Sequence, residues 1–327
     1  MFRNPFRKHH IDPHPKLDNL DHVRFLDGLT FSDKIEKNNM SYQLIYRKSP
    51  CDTQYLGLRE SLKNNHLVIE EVSTGGSVPQ LKCKNQSDHY VLILAGEEII
   101  GAKQNRVINV PFIIGPKSET EIPVSCVEQG RWSYDTPQFC KGEHAYTDLR
   151  RKVVEDVSYN AISGLGYGSD QGRVWDDISE KETIFRRRSQ TGAMNEMYSH
   201  FEEEMRDILE GFDTKKSYGI CVYINEGLAG VDIMPSSEFF SEISNDVLQG
   251  YLLESIRLKN EKSPFSTFRS VESFIQYTSK VPASITDGVG LGKVHNIHSK
   301  GIVGHFLKYE NDFAHGNLFP REISKGR

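Results

Sequence analysis

Six short extended segments within residues 38–132 constrain this chain most: "MSYQLIYRK", "HLVIEEVS", "SVPQLKCKN", "HYVLILAGEEII", "NRVINVPFII" and "EIPVSCVEQ". β-Branched and aromatic residues dominate them, and the turn signals "STGGS", "KNQSDH" and "GPKSE" separate them at short intervals. That rhythm predicts an antiparallel β sandwich or barrel, jelly-roll-like. A chain of 327 residues is also longer than one core usually supports, since cores stop growing at about 250–300 residues. A second unit is therefore expected.

Its elements follow. The stretch "YTDLRRKVVEDVSYNAIS" (146–163) fits either a helix or a strand, and "GLGYGSDQG" (164–172) reads as a Gly-rich linker. Residues 174–212 carry apolar side chains at helical spacing, which predicts two helices broken near Ser189, with Ser189 or Thr191 capping the second. "YGICVYINEGLAGVDIM" predicts a hairpin turning at 225–227. "SSEFFSEISNDVLQGYLLESIRL" predicts a helix capped by Ser236 or Ser237 with Glu238 in its first turn. "FRSVESFIQYTSK" is a further helix, and "GVGLGKVHNIHSKGIVGHFLKYENDFAHGNLF" reads as three short strands. The expected organisation is α+β: a flexible basic arm (1–18), an antiparallel β domain (19–163), the linker (164–172) and a mixed α+β domain (173–327).

Composition narrows the function. The chain is 37% hydrophobic and 26% charged with a net charge of -5, which argues against a nucleic-acid partner. No apolar run reaches the roughly 18 residues of a membrane span, and the basic start "MFRNPFRKHHIDPHPK" lacks a signal peptide's apolar region. A cytoplasmic location is expected, in keeping with five irregularly spaced cysteines that suit reduced thiols.

The stretch 96–132, "GEEIIGAKQNRVINVPFIIGPKSETEIPVSCVEQGRW", interleaves charged and amide residues with its apolar positions. They form either an inward polar site or the wet face of a sheet, where ion pairs contribute only about 0–1 kcal/mol. Strand alternation puts Val124, Cys126 and Glu128 on one side and Ser125, Val127 and Gln129 on the other. Glu98 or Glu128 can serve as acid or base, and Cys126 as a nucleophile only with a base such as His144 nearby. Cys126, Cys140 and His144 (C-x13-C-x3-H) lack the close Cys pair of zinc sites, so no metal or other cofactor is expected.

Elsewhere the signals are weaker. "GLGYG" does not join a strand to a helix in a dinucleotide-binding unit, and Arg186, Arg187 and Arg188 read as solvated charge. Asp232 precedes a helix N-terminus that could receive an anion, although plain capping by Ser236 or Ser237 accounts for the same residues. His295 and His298 fall on opposite faces of a strand and make poor joint ligands, whereas His315 lies within the terminal motif.

The segments "GEEIIGAKQNR", "PVSCVEQGRW", "VYINEGLAGVDIMPSSEFF" with "YLLESI", and "VGHFLKYENDFAHGNLF" resemble the ARPP domain, the "ARG and Rhodanese-Phosphatase-superfamily-associated Protein" domain, over residues 38–319. By association with ADP-ribosylglycohydrolases and phosphatases, the resemblance implies a role around ADP-ribose or another NAD-derived nucleotide. It supplies no catalytic residue, and the N-terminal arm has no counterpart in it. The candidate catalytic residues are therefore Glu98, Glu128 and Cys126. Lys103, Gln104, Asn105, Arg106, Arg131, Trp132, Asp232 and His315 are the candidate ligand-binding residues. The expected partner is a small nucleotide, bound and, in the catalytic form of this reading, hydrolysed or modified. A homo-oligomer is compatible with the sequence. The competing class is a non-catalytic sensing, sequestering or protein-interaction module.

Overall fold

The computed structural model describes residues 21–321 apart from 49, 74, 137, 262, 263, 266 and 267, so the arm at 1–18 lies outside the described residues. The chain opens with α1 (Asp21–Asp27), β1 (Leu29–Phe31), β2 (Ile35–Lys37) and β3 (Met40–Arg47). A β-rich body follows: β4 (Tyr55–Leu56), α2 (Leu58–Lys63), β5 (Leu67–Glu71), β6 (Gln80–Asn85), β7 (Tyr90–Ile93), β8 (Glu97–Gly101), β9 (Arg106–Ile108), β10 (Phe112–Ile114), β11 (Glu119–Cys126) and β12 (Phe139–His144). Each of the six extended segments read from the sequence overlaps at least one strand, the first of them β3 and the others strands of this body.

The body is two facing sheets, one ordered β12-β8-β9-β11-β6-β5 and one ordered β10-β7-β4. Its pairings are antiparallel except between β4 and β7. Alternation explains the core. Ile69, Leu81, Ile99, Ile108, Ile122 and Val124 of the larger sheet meet Val91, Ile93 and Phe112 of the smaller. Val107 and Val127, one residue out of phase, belong to a second core on the outer face of the larger sheet. Around β8, β9 and the end of β11 both faces of that sheet are therefore dry, while Glu70, Lys84, Glu119 and Glu121 on β5, β6 and the start of β11 face solvent.

The second half supplies what covers it: α3 (Thr147–Ile162), α4 (Gln171–Phe185), α5 (Glu196–Ser199), α6 (Glu202–Glu210), β13 (Gly219–Ile224), β14 (Gly227–Ile233), α7 (Ser237–Arg257), α8 (Val271–Thr278), β15 (Ala283–Asp287), β16 (Lys293–His298), β17 (Ile302–Tyr309) and β18 (Asp312–Pro320). These last four strands and β1, β3, β13 and β14 form a sheet in the order β1-β3-β13-β14-β18-β17-β16-β15, with β2 on β3. One face (Leu44, Ile220, Val222, Val294, Leu307) packs toward the helices. The other (Ile45, Cys221, Tyr223, Ile297, Phe306) is covered by residues of α1 and α8. Burial on both faces accounts for the unbroken apolar run "GICVYI".

Several local expectations resolve here. The ambiguous segment 146–163 is a helix, with Leu149, Val153, Val157 and Ala161 buried four residues apart. Asn225 and Glu226, both at positive φ, make the tight turn between β13 and β14. Ser236 caps α7 by accepting the Phe239 N–H at 3.1 Å. Residues 174–212 contain three helices rather than two, and neither Ser189 nor Thr191 caps one. The Ser189 hydroxyl accepts from Thr191 and Ala193 N–H groups in a turn ahead of α5. The segment 19–163 contributes to both bodies, because β3 pairs with β13. No helix among the described residues is long and apolar enough to cross a membrane.

Polar residues cross the large sheet in one row. Ser284, Asn296, His305, Asn317 and Asp232 are successive register partners on β15, β16, β17, β18 and β14, and all are buried. Burial depresses the histidines: His305 to about 3, His315 to about 4, and on other strands His295 to about 4 and His144 well below its usual range. Burial also raises Glu97 to about 7 and Glu98 to about 8.

These shifts fix a pH dependence. The depressed histidines contribute stability that is complete above their unfolded value near 6.5 and is lost as pH falls through their folded values. The raised carboxyls contribute stability that is complete below 4.5 and is lost as pH rises through 7 and 8. Below 4.5 the raised carboxyls are complete and only the histidines lose stability, whereas above 6.5 the histidines are complete and only the carboxyls do. The thermal midpoint is thus expected to peak between about pH 4.5 and 6.5 and to fall on both sides. His305→Asn should flatten the acid limb, and a midpoint that keeps rising from pH 6.5 to 8.5 would contradict the assignment.

Candidate functional site

The polar stretch is centred on the turn between β8 and β9. Gly101 and Ala102 adopt positive φ there, and the Asn105 Oδ1 closes the turn by accepting the Gly101 N–H at 3.2 Å. A side chain at Gly101 would collide with the Thr136 hydroxyl, so the turn needs glycine. Glu97, Glu98, Lys103, Gln104, Asn105, Arg106 and Glu128 are all buried. The alternative of a wet sheet face does not describe them.

One group of these residues surrounds Glu128 and Arg131. The Arg131 Nε and Nη2 donate to the two Glu128 carboxylate oxygens at 2.8 and 2.6 Å. Its Nη1 donates to the carbonyls of Ala102 and Ser133, and Nη2 also to the Asn105 Oδ1 at 3.0 Å. Glu128 further accepts the Asn105 N–H and the Thr191 hydroxyl. Burial opposes ionisation of Glu128, but the Arg131 fork and these donors hold it below the usual carboxylate range. With its donors committed inside the chain, Arg131 positions Glu128. Glu128, Arg131 and Asn105 line a crevice of about 240 Å³, shared with Cys140, Asn195 and Glu196.

Glu98 is the opposite case. Its Oε2 accepts the Glu143 N–H at 3.1 Å, while Oε1 finds no hydrogen-bond partner among the described residues. Desolvation raises it to about 8, and the Glu128 charge adds in the same direction, so Glu98 is protonated near neutrality. A Cβ at Gly142 would stand 2.6 Å from the Glu98 Oε2, so only glycine leaves room for that carboxyl. Two carboxyl groups driven apart in this way suit acid and base roles.

The second group lies around Arg106, which points from β9 into the core between the two sheets, opposite Cys126. Arg106 is 0% exposed. Its Nη1 donates to the Gln104 Oε1 at 3.1 Å, but Nε and Nη2 have no hydrogen-bond acceptor among the described residues. Glu71, inward on β5 in phase with Leu67 and Ile69, is 3.9 Å away and makes an ion pair without a hydrogen bond. Above them Lys103 donates to the Gly75 carbonyl at 2.8 Å. Its ammonium is 5.3 Å from the ring centres of both Trp132 and Tyr134. The Arg106 guanidinium lies 5.7 Å from the Trp132 ring. Trp132 and Tyr134 are 47% and 51% exposed, unusual for such large rings. Gln104 joins the two groups, since its Nε2 donates to the Glu128 carbonyl.

Cys126 lies beside Arg106 as a protonated thiol. Burial pushes it up, and Sγ donates to the Glu128 carbonyl at 3.2 Å. No group of three or more His, Cys, Asp or Glu residues able to hold a metal occurs among the described residues. Asp232 and His315 belong to a different place. Asp232 takes a fork from Arg150 and the Tyr251 hydroxyl within the helix-facing core. The His315 Nδ1–H donates to the Ile233 carbonyl at 3.0 Å.

Glu71 and Tyr134 escaped the sequence reading. For Glu71 the signal was present in the alternation Leu67, Ile69, Glu71, which sends its carboxylate inward. Arg131→Ala is expected to destabilise the fold by about 2–4 kcal/mol, because it leaves the largely buried Glu128 carboxylate unpaired. Trp132→Ala, at a half-exposed ring, should cost less than about 1 kcal/mol. Urea denaturation of both variants checks the contrast.

Neither a curated protein nor a solved structure matches the chain. A family model does: the ARG and Rhodanese-Phosphatase-superfamily-associated Protein domain, ARPP-1, matches residues 28–319, which takes in both polar groups and all three sheets. This chain belongs to the ARPP-1 domain family.

Proposed function

We propose that this protein binds a nucleotide of the ADP-ribose or NAD-derived class at the group formed by Arg106, Lys103, Trp132 and Tyr134. The observation that carries the reading is Arg106, a fully buried cation with two guanidinium nitrogens lacking acceptors, under an exposed aromatic ring. A buried guanidinium is costly unless something answers its donors, and a phosphate does so bidentately. Lys103 adds a second cation, and the rings of Trp132 and Tyr134 offer a stacking face for a base. Arg131, also a candidate ligand-binding residue, has its donors engaged by Glu128, Asn105 and backbone carbonyls and lies outside this group.

The catalytic extension of this reading draws neither on Glu98, which pairs with Val107 and so faces away from Arg106 across the sheet, nor on Cys126, a protonated thiol. Calorimetric titration with ADP-ribose tests the proposal. Lys103→Ala and Trp132→Ala should each weaken binding at least tenfold with the fold intact. In a thermal-shift assay, ligand at 100 times its dissociation constant should add about 2.7 kcal/mol, a rise of a few degrees. A wild-type protein that binds ADP-ribose without turnover is the sensor of the competing class. No response to millimolar ADP-ribose, NAD or their phosphates would overturn the nucleotide reading.

A further inference from the structure

A second cleft, of about 550 Å³, opens where the β10–β11 connection, the end of α3, the loop after it and the β15–β16 hairpin meet. None of the residues around Arg106 or Glu128 lines it, and its volume suits a small organic molecule. The floor is apolar: Ile114 from β10, Ala161 and Ile162 from α3, and Ile285, Val289 and Leu291 from the hairpin.

These walls are fixed to one another. The Leu291 N–H donates to the Ile113 carbonyl at 2.8 Å, bridging the hairpin to the β body. Gly290 sits at φ +74 against that same carbonyl, where a side chain would clash. Tyr167, in the loop read from sequence as a linker, shares a hydrogen bond with the Thr286 hydroxyl at 2.7 Å and also donates to the Asp287 carbonyl. Its own carbonyl accepts the Asn109 Nδ2 at 3.0 Å. The cleft is therefore a formed site, and closing it would break these contacts.

Charge at the rim selects the occupant. Glu119, Glu121, Asp287 and Lys293 surround the opening. Lys293 is paired with Asp287 at 3.0 Å, and Glu119 with Lys82 at 3.3 Å. Glu121, which is exposed, accepts from the neutral Gln80 amide at 3.3 Å, and the Lys82 opposite it is already paired with Glu119, so three carboxylates face two ammonium groups. An apolar floor under an unneutralised carboxylate favours an apolar cation and repels the polyphosphate of a nucleotide. We infer that this cleft binds a small organic amine, its apolar body on the Ile162–Leu291 floor and its ammonium against Glu121.

Dansylcadaverine, which carries an apolar ring and a primary ammonium, tests this on the whole chain. 5-(Dimethylamino)naphthalene-1-sulfonate has the same ring system with an anionic end. Fluorescence titration should show saturable one-to-one binding of the amine, at least tenfold tighter than that of the sulfonate. Ile162→Trp, which fills the cleft, and Glu121→Lys, which reverses the rim charge, should each weaken it at least tenfold. Trp132→Ala should leave it unchanged, which separates this cleft from the aromatic pair around Lys103. If Ile162→Trp does not fold, Glu121→Lys decides from an exposed position. Absence of saturable binding, equal affinity for the sulfonate, full affinity in Glu121→Lys, or loss in Trp132→Ala would each overturn the inference.

Discussion

The Arg150–Asp232 pair ties the layers of this protein together. Arg150 rises from α3 and forks onto Asp232 of β14 at 3.1 and 2.5 Å, and Tyr251 of α7 donates to the same carboxylate. A Cβ at Gly96, on the turn into β8, would stand 3.0 Å from the Arg150 side chain, and the guanidinium lies 5.0 Å from the Phe319 ring of β18. Five elements thus meet on one guanidinium. A buried ion pair gains little over apolar packing, because desolvation of both charges offsets their attraction. What it adds is geometry: a planar fork is satisfied in one arrangement, and a slipped helix would leave two charges unpaired.

The same logic governs the stretch 96–132. Its polar groups are inside because, around β8, β9 and the end of β11, the larger body sheet is covered on both faces, on one by the smaller sheet and on the other by the helical layer. Once inside, each must be answered. Around Glu128 the answer is complete, and the result is a rigid cluster with an ionised carboxylate. Around Arg106 and Glu98 it is incomplete, and within this stretch those are the two described residues with buried side-chain atoms that lack a hydrogen-bond partner. The Lys103–Arg106 turn separates the two kinds of environment by a few residues, which is why one run of sequence produced both.

Much of the architecture was legible. Segments of "HLVIEEVS" type carry period-two burial that only a strand can satisfy, and Ser236 with Glu238 marks a helix start through local hydrogen bonding alone. The family was legible too, through motifs that fall on the polar turn and on β13, β14, β17 and β18. The segment 146–163 was not, because its buried positions depend on which sheet it lies against. The helix caps near Ser189 were missed for a related reason: a serine hydroxyl accepts as readily in a turn as at a helix end.

What the sequence by itself determined was the local geometry: where strands alternate, where chains turn, and which polar residues lie near one another along the backbone. Tertiary structure alone decided that β3 leaves the β body to pair with β13, 170-odd residues downstream. It also decided that Asp232 bonds to Arg150 and Tyr251, that His315 bonds to the Ile233 carbonyl, and that Arg131 is engaged by Glu128 while Arg106 is not. Periodicity records which side of a strand a residue faces. Which element covers that side, and whether it brings an acceptor, is settled only when distant segments pack.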